Sequence, residues 1–265
     1  GPAPAAAAQG SPAQTTDGMP ALVDTQWLAD HLSDPAVKIL DVRAQPKYSA
    51  SHIPGALCIC PESFRGNVGG FPAMLLPAEI LARHMSLMGL RPTDTIVLVC
   101  GNQPGEVDLG NAVRDALIIG MGLARLGHPK WTILDGGITR WMNEGRPMTA
   151  AVAAITPTQY STPAGPDSFT VDAQAVLARV GDNKTVIIDA RPADYFRGEK
   201  SDEARAGHIP GAVNRPFRSD LGTDERLKPV PDLEQAYSAL IPTKDTPVIV
   251  HCRTGHQASQ TFFIL

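Results

Sequence analysis

The chain of 265 residues carries 23 Lys and Arg against 27 Asp and Glu, a formal net charge of −4, and is 43% hydrophobic and 19% charged. This length and apolar content suit about two globular domains, each with its own core. The slightly acidic balance gives no electrostatic reason to expect nucleic acid or a membrane surface as partner, and no apolar run of about 18 residues offers a membrane-spanning helix.

The first stretch, "GPAPAAAAQGSPAQTTDG", has no charge before Asp17 and is rich in Ala, Pro, Gly and Gln. Such a composition cannot order itself, so residues 1–19 are expected to form a disordered arm. The stretch lacks the basic start and apolar centre of an intact signal peptide. Taken as the arm left by a removed signal it points to export to the periplasm, with a cytoplasmic chain as the alternative.

Asp24 heads an amphipathic stretch and reads as a helix N-cap, because a carboxylate can accept the free amides of a first turn. "VKILDV" (37–42) is a short apolar run without alternation, as for a strand covered on both faces. In "HIPGA", from His52, Pro and Gly shape a turn into the next strand. "PAEILARHMSLMGL" (77–90) reads as a helix with Pro near its first turn, and "TIVLVC" (95–100) as a second buried strand. A helix over 111–126, a strand Trp131–Leu134 and a helix from Ile138 follow, with Gly136 and Gly137 at the turn and Trp141 in the core. "TAAVAAITPTQYSTPAGPDS" marks a linker over 150–168 through its Pro, Thr and Ser.

The same order then recurs. Asp172 matches Asp24 as an N-cap, "TVIIDA" matches "VKILDV", and Asp189 and Arg191 stand where Asp41 and Arg43 stand. A second "HIPGA" starts at His208, its offset grown by eight residues, so the second copy holds an insertion around "RGEKSDEARA". "PDLEQAYSAL" (231–240) and "PVIVHC" (247–252) supply a helix and a buried strand. A period of about half the chain is far longer than a solenoid repeat, so each copy is expected to be a domain: 20–149 and 169–265. Strands alternating with helices predict an α/β class, a mainly parallel sheet flanked by helices in each copy.

The four cysteines are too few for a disulfide scaffold, and Cys58-x-Cys60 lacks a second Cys/His pair for zinc, so most of them read as small apolar core residues. Cys252 differs. Strand ends of parallel sheets open onto a crevice where ligands collect, and "VIVHC" puts Cys252 at such an end. Gly255 allows a tight turn with positive φ, and "QASQTFFIL" favours a helix start. Loop amides and a helix N-terminus both stabilise negative charge, which favours the nucleophilic thiolate. A cysteine phosphatase uses a similar loop but needs an arginine six residues after the cysteine to grip phosphate; that position is Ala258, and no loop carboxylate offers a general acid.

Taken together and in order, "LDVR" and "IDAR", the two "HIPGA" segments, "LDGGITRWMNEGRP" and "HCRTGHQAS" resemble the rhodanese family, the thiosulfate and mercaptopyruvate sulfurtransferases. The match runs from Leu22 to the C-terminus. The resemblance implies two tandem rhodanese-like domains, of which the second holds the nucleophile. It implies a ping-pong cycle in which Cys252 takes sulfur from thiosulfate as a persulfide and passes it to cyanide or a thiol, with no cofactor and no metal. It implies an active-site loop of Cys252, Arg253, Thr254, Gly255, His256 and Gln257. Arg253 is as in the thiosulfate-using branch; the position after it often carries Lys in vertebrate enzymes and is Thr254 here. The family places a substrate arginine six residues after Asp189, but this chain has Tyr195 there, so Arg197 is the candidate. His256 reads either as a partial cation that tunes the loop or as a solvated histidine, and His251 as a packing residue at the strand end. Asp189 and Arg191 recur in the copy without an evident site, so they are expected to be structural support.

Counted from the shared Asp-Thr, Cys100 falls one residue short of the Cys252 position, on the strand itself. Pro104, Glu106 and Asp108 would spoil an anion cradle, so Cys100 is expected to be buried and the first domain to be an inactive scaffold. Only 13 residues follow Cys252, so the second domain is expected to be C-terminally incomplete, with "TFFIL" needing cover. Two other functions stay open: use of 3-mercaptopyruvate as donor, and a non-catalytic scaffold or sulfur-binding module.

Overall fold

The computed structural model describes residues 19–101, 112–223 and 226–265. The expected N-terminal arm up to residue 18 and the loop residues Pro104, Glu106 and Asp108 lie outside them. The described chain divides into two units, 19–167 and Ser168–Leu265.

The first unit runs β1 (Leu22–Val23), α1 (Thr25–Asp30), β2 (Val37–Asp41), α2 (Gln45–Ala50), β3 (Leu57–Cys58), β4 (Arg65–Val68), β5 (Phe71–Leu75), α3 (Ala78–Leu87), β6 (Thr95–Val99), α4 (Ala112–Arg125), β7 (Trp131–Leu134) and α5 (Gly137–Asn143). Its sheet has the order β1-β7-β6-β2-β3, with every pair parallel. β4 and β5 form a separate antiparallel hairpin. Asp24 accepts the Trp27 N–H at 2.7 Å, so the expected cap starts α1. Strand alternation sends Ile39, Val97 and Val99 to one face, where they pack with Leu28, Ile53, Ile138 and Trp141. Leu40, Ile96 and Leu98 point the other way and are just as buried, which is why these strands read as unbroken apolar runs.

The second unit runs α6 (Ala173–Leu177), β8 (Val186–Asp189), α7 (Ala193–Phe196), β9 (Val213–Asn214), α8 (Val230–Ser238), β10 (Val248–His251) and α9 (His256–Ile264). Its parallel sheet has the order β10-β8-β9. Asp172 caps α6 through the Ala175 N–H at 2.8 Å. β10 was expected to be a buried strand; it lies at the edge of its sheet and all four of its residues are half-buried. Phe262 of α9 packs on Phe169 with ring centroids 5.2 Å apart, and the last residues of "TFFIL" are half-buried.

The stretch over 150–167 has no helix or strand, yet it is held along the first unit. Tyr160 is buried and its hydroxyl meets His128 Nδ1 at 2.5 Å, while Asp167 pairs with Arg125 at 2.7 Å. The core reading of the cysteines holds for Cys100 and fails for Cys60, which is exposed; Cys58 and Cys252 are half-buried.

Candidate active site

The two halves build the same strand-end scaffold. After β2, Arg43 folds back on Asp41, with Nε to Oδ1 at 3.0 Å and Nη2 to Oδ2 at 2.7 Å, and Nη2 also donates to the Ser51 carbonyl at 2.8 Å. After β8, Arg191 does the same to Asp189 at 3.0 and 2.7 Å, and donates to the Gly207 carbonyl at 2.7 Å. Ser51 and Gly207 are the residues just before the two "HIPGA" histidines. His52 stacks on Tyr48 with centroids 3.8 Å apart, and His208 stacks on Phe196 at 3.6 Å. Each histidine Nδ1 also bonds the carbonyl of its stacking partner at 2.7 Å. The recurring Asp-x-Arg and "HIPGA" motifs therefore tie a strand end to the turn that leads into the next strand.

The neighbouring strand carries the cysteine. β2 and β6 pair Asp41 with Val99, and β8 and β10 pair Asp189 with His251. Val42 and Ala190 donate to the Val99 and His251 carbonyls, both at 2.9 Å. Cys100 and Cys252 are each the next residue. The expectation that Cys100 falls one position short, on the strand, is thus corrected: it stands at the Cys252 position, just past the strand. The Asp-Thr pairs are not equivalent, because Pro247 stands where Thr95 stands, and pairing of the strands, not the local motif, sets the register.

From here the halves part. Cys100 is 5% exposed, and its carbonyl accepts the Ile138 N–H at 2.8 Å. A Cβ on Gly137 would come within 2.0 Å of that carbonyl oxygen, so only glycine lets α5 start there. Burial, with Asp115 and Asp41 adding to it, pushes the Cys100 thiol up to about 12.

Cys252 opens a loop that turns at Gly255, whose φ of +83° is the left-handed conformation the sequence anticipates, and enters α9 at His256. Two backbone N–H groups turn toward the sulfur: Gly255 donates to Sγ at 3.1 Å and Ala258 at 3.4 Å. Ala258, where a phosphatase would carry its arginine, thus serves the sulfur through its amide in the first turn of α9. These donors complement negative charge on Sγ and on an atom attached to it.

The charged groups around the loop are mostly paired. Burial pushes the Asp189 carboxyl up, but the hydrogen bonds from Arg191 outweigh it and hold the group below its ordinary range. Arg191 is raised by its bond to Asp189 against burial, and further by Asp189, Cys252 and Glu203, which puts all three within its electrostatic reach. His251 Nε2 lies 3.8 Å from Asp189 Oδ2, and burial pushes His251 below its ordinary value despite that neighbour.

Arg253 is taken up by acidic residues of the insertion. Its Nε donates to Glu203 Oε1 at 2.6 Å, and Nη1 lies 3.7 Å from Asp202. Thr254 and Gln257 complete the turn as neutral residues. Arg197 is exposed and bound bidentately to Glu199 at 2.7 and 2.9 Å; among the described residues, no hydrogen bond or ion pair joins it to the Cys252 loop. Two groups escaped the sequence reading. Asn214 Nδ2 donates to the carbonyls of Asp189 and Arg191, both at 2.9 Å, locking the strand end. Glu203 belongs to the eight-residue insertion, and the adjacent acids Asp202 and Glu203 in the half that holds Cys252 were the available signal. Among the described residues, no group of three or more His, Cys, Asp or Glu could hold a metal ion.

Comparison with known proteins gives this scaffold a lineage. The model of the rhodanese-like domain matches residues 24–144 and 172–265. The sulfur carrier protein TtuD of Thermus thermophilus is 30% identical over 92% of this chain and 86% of its own length. The thiosulfate sulfurtransferase of Azotobacter vinelandii is 28% identical over 93% and 87%. Among solved structures, SseA from Escherichia coli, one of the 3-mercaptopyruvate sulfotransferases, superposes with a TM-score of 0.75 at 30% identity, covering 92% of each chain. Two rhodanese segments and these relatives show that the chain belongs to the rhodanese-like domain family, the sulfurtransferases of the thiosulfate and 3-mercaptopyruvate type.

Proposed function

We propose that this chain moves sulfane sulfur from thiosulfate to a thiophilic acceptor, cyanide or a thiol, with Cys252 as the carrier and the first half as scaffold. The observation that carries the reading is the pair of N–H donors from Gly255 and Ala258 on Cys252 Sγ. In the first step the Cys252 thiolate attacks the outer sulfur of thiosulfate. A new S–S bond forms, the old one breaks, and sulfite leaves with the bonding pair. The terminal sulfur of Cys252–S–S⁻ then carries the negative charge beside the α9 N-terminus. In the second step the acceptor attacks that sulfur, and the thiolate returns with the electron pair of the persulfide bond.

Incubation with thiosulfate should add about 32 Da, one sulfur, to the peptide holding Cys252, with one sulfite released. Equal sulfur uptake by Cys252→Ser would refute the assignment. A second donor, 3-mercaptopyruvate, is favoured by one observation: the Arg253 guanidinium is engaged by Glu203, and Thr254 adds no charge, so the loop is lean in cations for a dianion. Turnover of the two donors, compared at equal concentration, decides between them.

A further inference from the structure

We propose that Glu203, supported by Asp202, is a positioning residue for donor binding: it holds Arg253 of the sulfur loop in an ion pair that an incoming anion must displace. The inference rests on the sulfurtransferase reading above and deepens it by naming what sets affinity for the donor.

Three observations carry it. First, the pair is long-range. Glu203 and Arg253 are fifty positions apart, and Nε meets Oε1 at 2.6 Å with Asp202 3.7 Å from Nη1. Second, the backbone that carries the carboxylate is held by its own turn. Ser201 Oγ donates to the Glu203 carbonyl and accepts the Glu203 N–H, both at 3.0 Å. That turn sits in the insertion that separates the second "HIPGA" from its Asp-x-Arg, a segment the Cys100 half lacks. Third, the pair is open to water, with both side chains more than half exposed, 56% for Arg253 and 53% for Glu203. An exposed pair exchanges its partner readily. A guanidinium also has five N–H donors that suit any planar or tetrahedral oxyanion. Arg253 can therefore trade Glu203 for the sulfonate oxygens of a donor. Until it does, the carboxylate occupies the guanidinium. Arg191 is held by Asp189 over a buried carboxylate, whereas Arg253 is itself part of the loop that carries the sulfur.

The test is Glu203→Gln, an exposed change that keeps the shape of the side chain. With thiosulfate and cyanide as substrates, KM for thiosulfate should fall about five-fold while kcat stays within about two-fold, and the gap should close in high salt. In an Arg253→Ala background the same substitution should change nothing. An unchanged KM, or an equal fall without Arg253, overturns the proposal; the latter would mean plain field repulsion.

A second readout does not need sulfur transfer. Sulfate, an unreactive dianion, should protect Cys252 from iodoacetamide at about five-fold lower concentration in Glu203→Gln. If that shift occurs but no persulfide forms on the unsubstituted protein, the clamp stands and the sulfurtransfer reading fails. If sulfur transfer occurs and neither KM nor protection moves, the clamp fails and the function stands.

Discussion

Cys100 and Cys252 stand at one register of equivalent strands, one residue beyond Val99 and His251. Cys100 follows the middle strand of a five-stranded sheet, is sealed by α5 and holds its proton up to about 12. Cys252 follows the edge strand of a three-stranded sheet, is half-buried, and accepts two amides on sulfur. The strand-end scaffold is the same in both, down to the 3.0 and 2.7 Å bonds from arginine to aspartate. Neither the residue nor its register therefore makes a sulfur site. What differs is burial and the loop that follows: desolvation outweighs the one backbone hydrogen bond to the Cys100 thiol, while Cys252 keeps both its donors and access to water.

The comparison can be broken most directly by exchanging which cysteine is removed. Cys252→Ser should lower sulfur transfer by about three orders of magnitude, whereas Cys100→Ser should leave it within about two-fold. In the same contrast, iodoacetamide at pH 8 should leave Cys100 unlabelled in the folded protein and label it once the first unit unfolds. Labelling of folded Cys100 would mean that burial does not separate the two thiols.

The shared Asp-Arg pair gives the next largest effect. The Arg43 side chain is 2% exposed and Arg191 16% exposed, over aspartates that are 1% and 0% exposed. Arg43→Met leaves a buried carboxylate without its cation and should cost about 3–5 kcal/mol, with Arg191→Met costing about 2–3 because water reaches that site. The two units need separate unfolding transitions in urea, not one two-state fit. A larger loss for Arg191→Met would show that burial is not what grades the pair.

The smallest effect is in pH. His251 occupies the Val99 position, and burial lowers its pKa from the ordinary 6.5. The unfolded chain then takes up a proton that the folded second unit resists. Its stability is full above about pH 6.5 and falls as pH drops below that value. Asp189, held low by Arg191 against burial, adds a later loss as pH falls through its depressed folded value. His251→Val, which installs the residue of the first half, should remove the first loss and keep the second. Melting of the second unit between pH 8 and 3 checks this, and an unaltered slope between pH 7 and 5 would assign the first loss elsewhere.

Much of this was legible in the residues. Both N-caps, the buried strands of the first half, the duplication and the tie that Asp-x-Arg and "HIPGA" make at the strand end follow from signals carried by a few neighbouring residues. The hairpin of β4 and β5 had its turn signal in Gly69-Gly70, but Arg65-Gly66-Asn67-Val68 before it carries no apolar run, and the sequence reading passed over it. Arg197 was the candidate anion ligand because it lies near the family position; the structure gives its guanidinium to Glu199 instead. A partner two residues away wins over a distant loop when nothing packs the side chain toward that loop.

By itself, then, the sequence determined that two α/β copies follow one another and that Cys252 leaves a strand into a glycine turn and a helix. Periodicity, caps and turn chemistry are local, so they can be read along the chain. Only the tertiary structure decided that Cys100 shares the Cys252 register, that β10 is a half-buried edge, and that Arg253 pairs with Glu203. Register, burial and ion pairing join residues fifty or more positions apart, and no local pattern states which of several possible partners a strand or a charge will meet.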